Sequence, residues 1–178
     1  MDRKCGTYRE AIRENVFLVN NCAITNRNVR ILSTTLWTNI PHTDAFNIER
    51  GMADFHHIQW KGESFNYQEY NQQHIQCIQF LKTELEKPFD GSTIVLSHHV
   101  PTFFNYPAQY KNSPLNKAFA TELFDLIESS SIDYWIFGHH HQNVATFEIG
   151  NTTMLTNQLG YVDYGENKLF NSVAVISL

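Results

Sequence analysis

Cysteine is scarce in this chain and follows no pattern: Cys5, Cys22 and Cys77 are an odd three, widely spaced and without a Cys-x-x-Cys. They indicate neither a disulfide framework nor a thiolate zinc site, and they fit reduced thiols in a cytoplasm. Long apolar runs are missing as well. None approaches the roughly 20 residues that span a bilayer, and the start Met1-Asp2-Arg3-Lys4-Cys5 leads into no signal-peptide core. No membrane partner is expected, and the chain reads as soluble and cytoplasmic. A basic excess is also lacking. Against 18 Asp and Glu stand 13 Lys and Arg, a formal charge of −5, which leaves no electrostatic footprint for nucleic acid.

What is there is the composition of a globular protein, 42% hydrophobic and 13% aromatic over 178 residues, with no repeat, low-complexity tract or linker. One domain over residues 1–178 is the simplest division. Strand-like and helix-like stretches alternate. Residues 7–14 read as a short polar helix, residues 16–19 and 29–37 as strands, and residues 38–62 as a long stretch without period. A clear helix follows over residues 67–86, with Tyr67, Tyr70, His74, Ile78, Leu81 and Leu85 three and four apart, closed by Pro88 and Asp90-Gly91. Thr93-Ile94-Val95-Leu96 is a buried strand, residues 116–129 an amphipathic helix, and residues 144–149, 152–156 and 172–176 short closing strands.

Two of the apolar runs end in histidine. Tyr134-Trp135-Ile136-Phe137-Gly138 passes into His139-His140-His141, and Val95-Leu96-Ser97 into His98-His99. Neighbouring side chains on an extended segment point to opposite faces, so His139 and His141 can meet at one point while His140 turns away. The helix between the two strands makes them parallel neighbours, with both histidine ends at one carboxyl edge of the sheet. His98, His139 and His141 are therefore candidate metal ligands, and three imidazoles suit zinc, iron, nickel or copper. His99 and His140 are candidate substrate contacts. His42, His56, His57 and His74 read as structural. Phe103, Phe104, Tyr106 and Tyr110 either line a pocket or cap the core.

Gly138-His139-His140-His141 resembles the Gly-His-x-His signature of calcineurin-like metallophosphoesterases, and Ser97-His98-His99-Val100-Pro101 their upstream histidine motif. Asn157-Gln158-Leu159-Gly160-Tyr161 and Met52-Ala53-Asp54-Phe55 are similar to segments of a bacterial subgroup. The resemblance implies an α/β fold, a partial four-layer α/β/β/α sandwich of mixed sheets flanked by helices. It also implies a hydrolase in which a metal-bound hydroxide attacks a phosphate mono- or diester, with manganese, iron or zinc as the cofactor. His98 and His139 would ligate one ion and His141 another. Three motifs that come earlier in the family, an Asp-x-His before Ser97, a Gly-Asp and a Gly-Asn-His carrying the catalytic histidine, are expected to be absent from this chain. The chain therefore reads as the carboxyl-terminal portion of such a domain, truncated on its amino-terminal side. It offers no catalytic residue of its own, and one ion or none is expected at the site. Activity requires completion from elsewhere. The alternative is a non-catalytic remnant with a structural, metal-binding or interaction role, and self-association through exposed sheet edge is expected in either case.

Overall fold

Branched and aromatic runs build the centre of the molecule, a computed structural model that describes residues 8–178. After an antiparallel hairpin of β1 (Tyr8–Arg13) and β2 (Val16–Asn20), β3 (Cys22–Asn26) and β4 (Val29–Thr34) open a six-stranded sheet. Helices α1 (His42–Gly51) and α2 (Asp54–His57), the small ribbon of β5 (Gln59–Trp60) and β6 (Glu63–Ser64), and the long α3 (Tyr67–Leu85) lead to β7 (Ser92–Ser97). Two short helices, α4 (Asn116–Phe119) and α5 (Phe124–Ser129), precede β8 (Tyr134–Ile136), and β9 (Phe147–Ile149) and β10 (Thr152–Leu155) complete the sheet. Its strand order is β3-β4-β7-β8-β10-β9. The four inner strands are parallel, while β3 and β9 run antiparallel at the two edges. The fold is mixed α/β, and the parallel pairing of β7 with β8 brings the two histidine ends to one edge.

Two apolar clusters hold these elements. Leu32, Val95, Trp135 and Met154 from the sheet pack with Cys77 and Leu81 of α3, and Ile40, Ile48, Phe55 and Phe65 gather around Tyr70 of the same helix. Helix α3 thus bridges both clusters. Its first turn is capped by Asn66, whose side-chain oxygen accepts from the backbone N–H groups of Gln68 and Glu69. Buried Arg30 serves the other end. It donates to the carbonyls of Glu84 and Lys87 at 2.9 and 3.0 Å and to the Thr93 hydroxyl, filling the acceptors that a helix leaves open at its carboxyl terminus.

Several local expectations are corrected. The helix expected over residues 7–14 is strand β1, with Thr7 outside the described residues; a turn at Glu14-Asn15 returns the chain on β2, and the Arg9 guanidinium lies 4.0 Å from the Phe17 ring centre. Hairpin pairing outweighs weak helix preference in so short a segment. The stretch 38–62 contains α1, whose pattern is faint because only Ala45 and Ile48 are buried and Phe46 faces solvent. The helix expected over residues 116–129 is interrupted where Ala120 bridges Val100; Thr121 N–H donates to the Val100 carbonyl at 3.0 Å, and Val100 N–H to the Phe119 carbonyl at 3.1 Å. Residues 172–176 form no strand. Val173 and Val175 are 77% and 89% exposed, and an extended segment without a neighbour to pair with gains no ladder.

Candidate functional site

The carboxyl ends of the inner strands supply the site. Ser97 fixes the geometry there: it accepts the indole N–H of the fully buried Trp135 at 2.9 Å and donates to the His99 carbonyl at 2.8 Å, tying the end of β7 to β8. The Gly138 N–H donates to the His98 carbonyl, which continues that register past the last strand residue. The sequence predicts an extended run through His139-His140-His141. Instead the turn falls on the histidines, with left-handed φ of 75° at His139 and 53° at His141. Side chains other than glycine adopt that region rarely, and it concentrates at functional sites.

This backbone brings His98 and His139 together. His98 Nε2 lies 3.0 Å from His139 Nδ1, and the His139 ring centre lies 4.2 Å from that of His99 and 4.3 Å from that of Phe119, tilted to both. Burial, reinforced by His99 and His98, pushes the His139 pKa down to about 2. His98 keeps an exposed edge, yet burial also leads the causes that lower its pKa, against the opposing pull of nearby Asp54. Both rings are neutral at physiological pH, the state a metal ligand requires.

His99 is enclosed. Its Nδ1 faces the Thr35 carbonyl at 2.9 Å and its Nε2 the Tyr70 hydroxyl at 3.3 Å, and burial drives its pKa down to about 3. His140 is also buried but reaches the pocket between Tyr106 and Tyr110, and its Nδ1 accepts from the Gln142 N–H and the Gln158 side-chain amide. His141 is held by three groups: its N–H donates to Gln158 Oε1, its ring meets Tyr161 edge-on, and its Nδ1 lies 2.9 Å from Glu166 Oε2. All three residues of the His139–His141 run, together with His98, Asp54 and Glu166, line a cavity of about 590 Å³. Tyr106, Tyr110 and Tyr161 face the same space, while Phe103 packs against the core.

The remaining histidines stand apart. His42 meets the Tyr67 hydroxyl, His74 bonds the Trp37 carbonyl, and His57 is exposed. The expected absence of an Asp-x-His before Ser97 is corrected, since Asp54-Phe55-His56 spells one, but its polar side chains diverge: Asp54 lines the cavity, whereas His56 bonds the Arg50 carbonyl on the surface. Burial raises the Asp54 carboxyl above its ordinary value, and His98 opposes the shift. Glu166 and the anchoring role of Gln158 escaped the sequence reading. Glu166 opens a short 3-10 helix, Glu166–Leu169, and nothing in the sequence pattern links it to His141. Among the described residues no group of three or more His, Cys, Asp or Glu side chains is placed to hold a metal ion.

Comparison with known proteins gives one relative. The chain is 29% identical over 175 residues to an uncharacterized protein of Acanthamoeba polyphaga mimivirus, an alignment that covers 92% of this chain and 61% of that protein. It therefore spans about three fifths of that relative's length. No model of a known protein family matches, and no solved structure does.

Proposed function

We propose that this chain is the histidine-bearing portion of a metal-dependent phosphoesterase, with His98 and His139 as ligands of one divalent transition metal and His141 as a ligand of a second. The observation that carries the reading is the pair of imidazole nitrogens 3.0 Å apart at the mouth of a cavity on the carboxyl edge of a parallel sheet. Two nitrogens each about 2 Å from a shared ion can stand about 3 Å apart, so the donor pair fits manganese, iron or zinc. A second feature supports it. His139 Nε2, the ring nitrogen that is not part of the pair, is buried without a hydrogen-bond partner, an unsatisfied group of the kind that folded proteins hold only sparingly.

A cation held there would acidify water and polarise a phosphoryl oxygen. This chain's own part is to hold neutral imidazoles in place, to admit the ester into the aromatic cavity, and to set His140 beside the phosphate-ester substrate. His99 contributes packing behind His139 and no free nitrogen. The six-stranded sheet then corresponds to part of a four-layer α/β/β/α sandwich, and self-association that covers its edge and the apolar residues near Val175 is the partner reading. Sedimentation at micromolar concentration is expected to show an oligomer; a strict monomer contradicts that part.

Catalysis needs a bridging carboxylate, and the described residues place none between the histidines. With added Mn²⁺, residues 1–178 alone are expected to turn over neither p-nitrophenyl phosphate nor bis-p-nitrophenyl phosphate, whereas a longer chain that adds the carboxylate and asparagine ligands should do so and lose it in His139→Ala. Turnover that survives His139→Ala contradicts the reading. A second reading, a non-catalytic domain in which His98 and His139 simply share a proton, is favoured by the same 3.0 Å separation, which is also a hydrogen-bond distance. The longer chain's failure to turn over either ester, or to bind metal, would favour it.

A further inference from the structure

We propose that Glu166 is a positioning residue that fixes His141 in the Nδ1–H tautomer and so leaves Nε2 as the nitrogen offered to a cation in the cavity. This rests on the metal reading above. Glu166 Oε2 lies 2.9 Å from His141 Nδ1, and a carboxylate oxygen accepts, so the ring nitrogen that faces it carries the proton. The same Oε2 accepts the backbone N–H of Tyr161, whose ring in turn meets His141 edge-on with centroids 4.7 Å apart. One carboxylate thus joins the ring to the loop that walls it.

The intervening glycine makes the contact possible. Gly160 has φ +63°, and a Cβ built there would stand 2.5 Å from Glu166 Cβ, 2.8 Å from Glu166 Oε2 and 3.4 Å from His141 Cβ. Any other residue would push the carboxylate off the imidazole. From the other side, Gln158 accepts the His141 N–H at 2.9 Å, and Gln158 is itself locked to Asn143 by reciprocal bonds. The Asn157-Gln158-Leu159-Gly160-Tyr161 run therefore has a physical use: it orients His141. A carboxylate behind a ligand imidazole also raises its basicity, and loss of such a partner typically weakens metal affinity about 10- to 100-fold.

The test reads the ring directly. Two-bond ¹H–¹⁵N correlation spectra of the metal-free chain at about pH 9, where a free imidazole is neutral, are expected to show His141 as Nδ1–H. Glu166→Ala should lose that preference and bind Zn²⁺ about 10- to 100-fold more weakly. In Glu166→Gln the amide oxygen can still accept, so this variant should keep the tautomer and most of the affinity, and it serves as the check if the alanine variant fails to fold. An Nε2–H tautomer in the native chain, or equal Zn²⁺ affinity in the native and alanine proteins, overturns the proposal. A native chain that shows Nδ1–H but binds no Zn²⁺ overturns the metal reading instead, and leaves Glu166 as the group that sets the tautomer.

Discussion

At the scale of single residues the site is a case of burial setting charge. His99 has its pKa driven to about 3 and His140 to about 4, in each case by burial first, and neither has a carboxylate partner. Unfolded, both titrate near 6.5. Below that value the unfolded chain binds protons that the folded chain refuses, so stability falls as pH drops from about 6.5 towards 4 and is fully present above 6.5. Denaturant titrations of the metal-free protein at pH 9, 8 and 5 should show the midpoint steady between the first two and falling at the third. A midpoint unchanged at pH 5 contradicts enclosed, neutral imidazoles. The motifs alone marked His98, His139 and His141, because strand ends that carry histidine are visible as letters. The left-handed turns at His139 and His141, and the carboxylate behind His141, were not legible: both depend on a loop that returns from residues 157–166.

At the scale of elements, α3 governs how the sheet edge is presented, and its carboxyl end hangs on one buried cation. Arg30→Leu would leave the Thr93 hydroxyl and the carbonyls of Glu84 and Lys87 without their donor. Bonds to a charged group are worth roughly 1.5–3 kcal/mol, so a loss of about 2–4 kcal/mol is expected in urea unfolding. A loss below about 0.5 kcal/mol would mean that water replaces the guanidinium at no cost. The long, strongly periodic α3 and the branched strands β4, β7 and β8 could be read from sequence, since their patterns run long enough to be unambiguous. Segments that deceived are the short ones. Residues 8–13 chose a hairpin partner over a helix, and the helix over 116–129 yielded to a bridge between Ala120 and Val100, which no local propensity encodes.

For the whole molecule, the sheet topology matters more than any single contact. Four parallel strands end at one edge, and the two that carry histidine lie side by side, so residues 41 positions apart in sequence place ring nitrogens 3.0 Å from each other. The exposed segment 170–178 belongs to the same picture, as an apolar run with no strand to pair with among the described residues. The central claim is that His98 and His139 form a metal site, and it is tested most directly by titrating Co²⁺ or Zn²⁺ into the purified chain and into His98→Ala and His139→Ala. The native protein should bind an ion at the His98–His139 pair at neutral pH, besides any held by His141, and release it as pH falls well below 6, with binding at that pair lost in either variant. Equal binding by all three proteins, or none by the native chain, would contradict it.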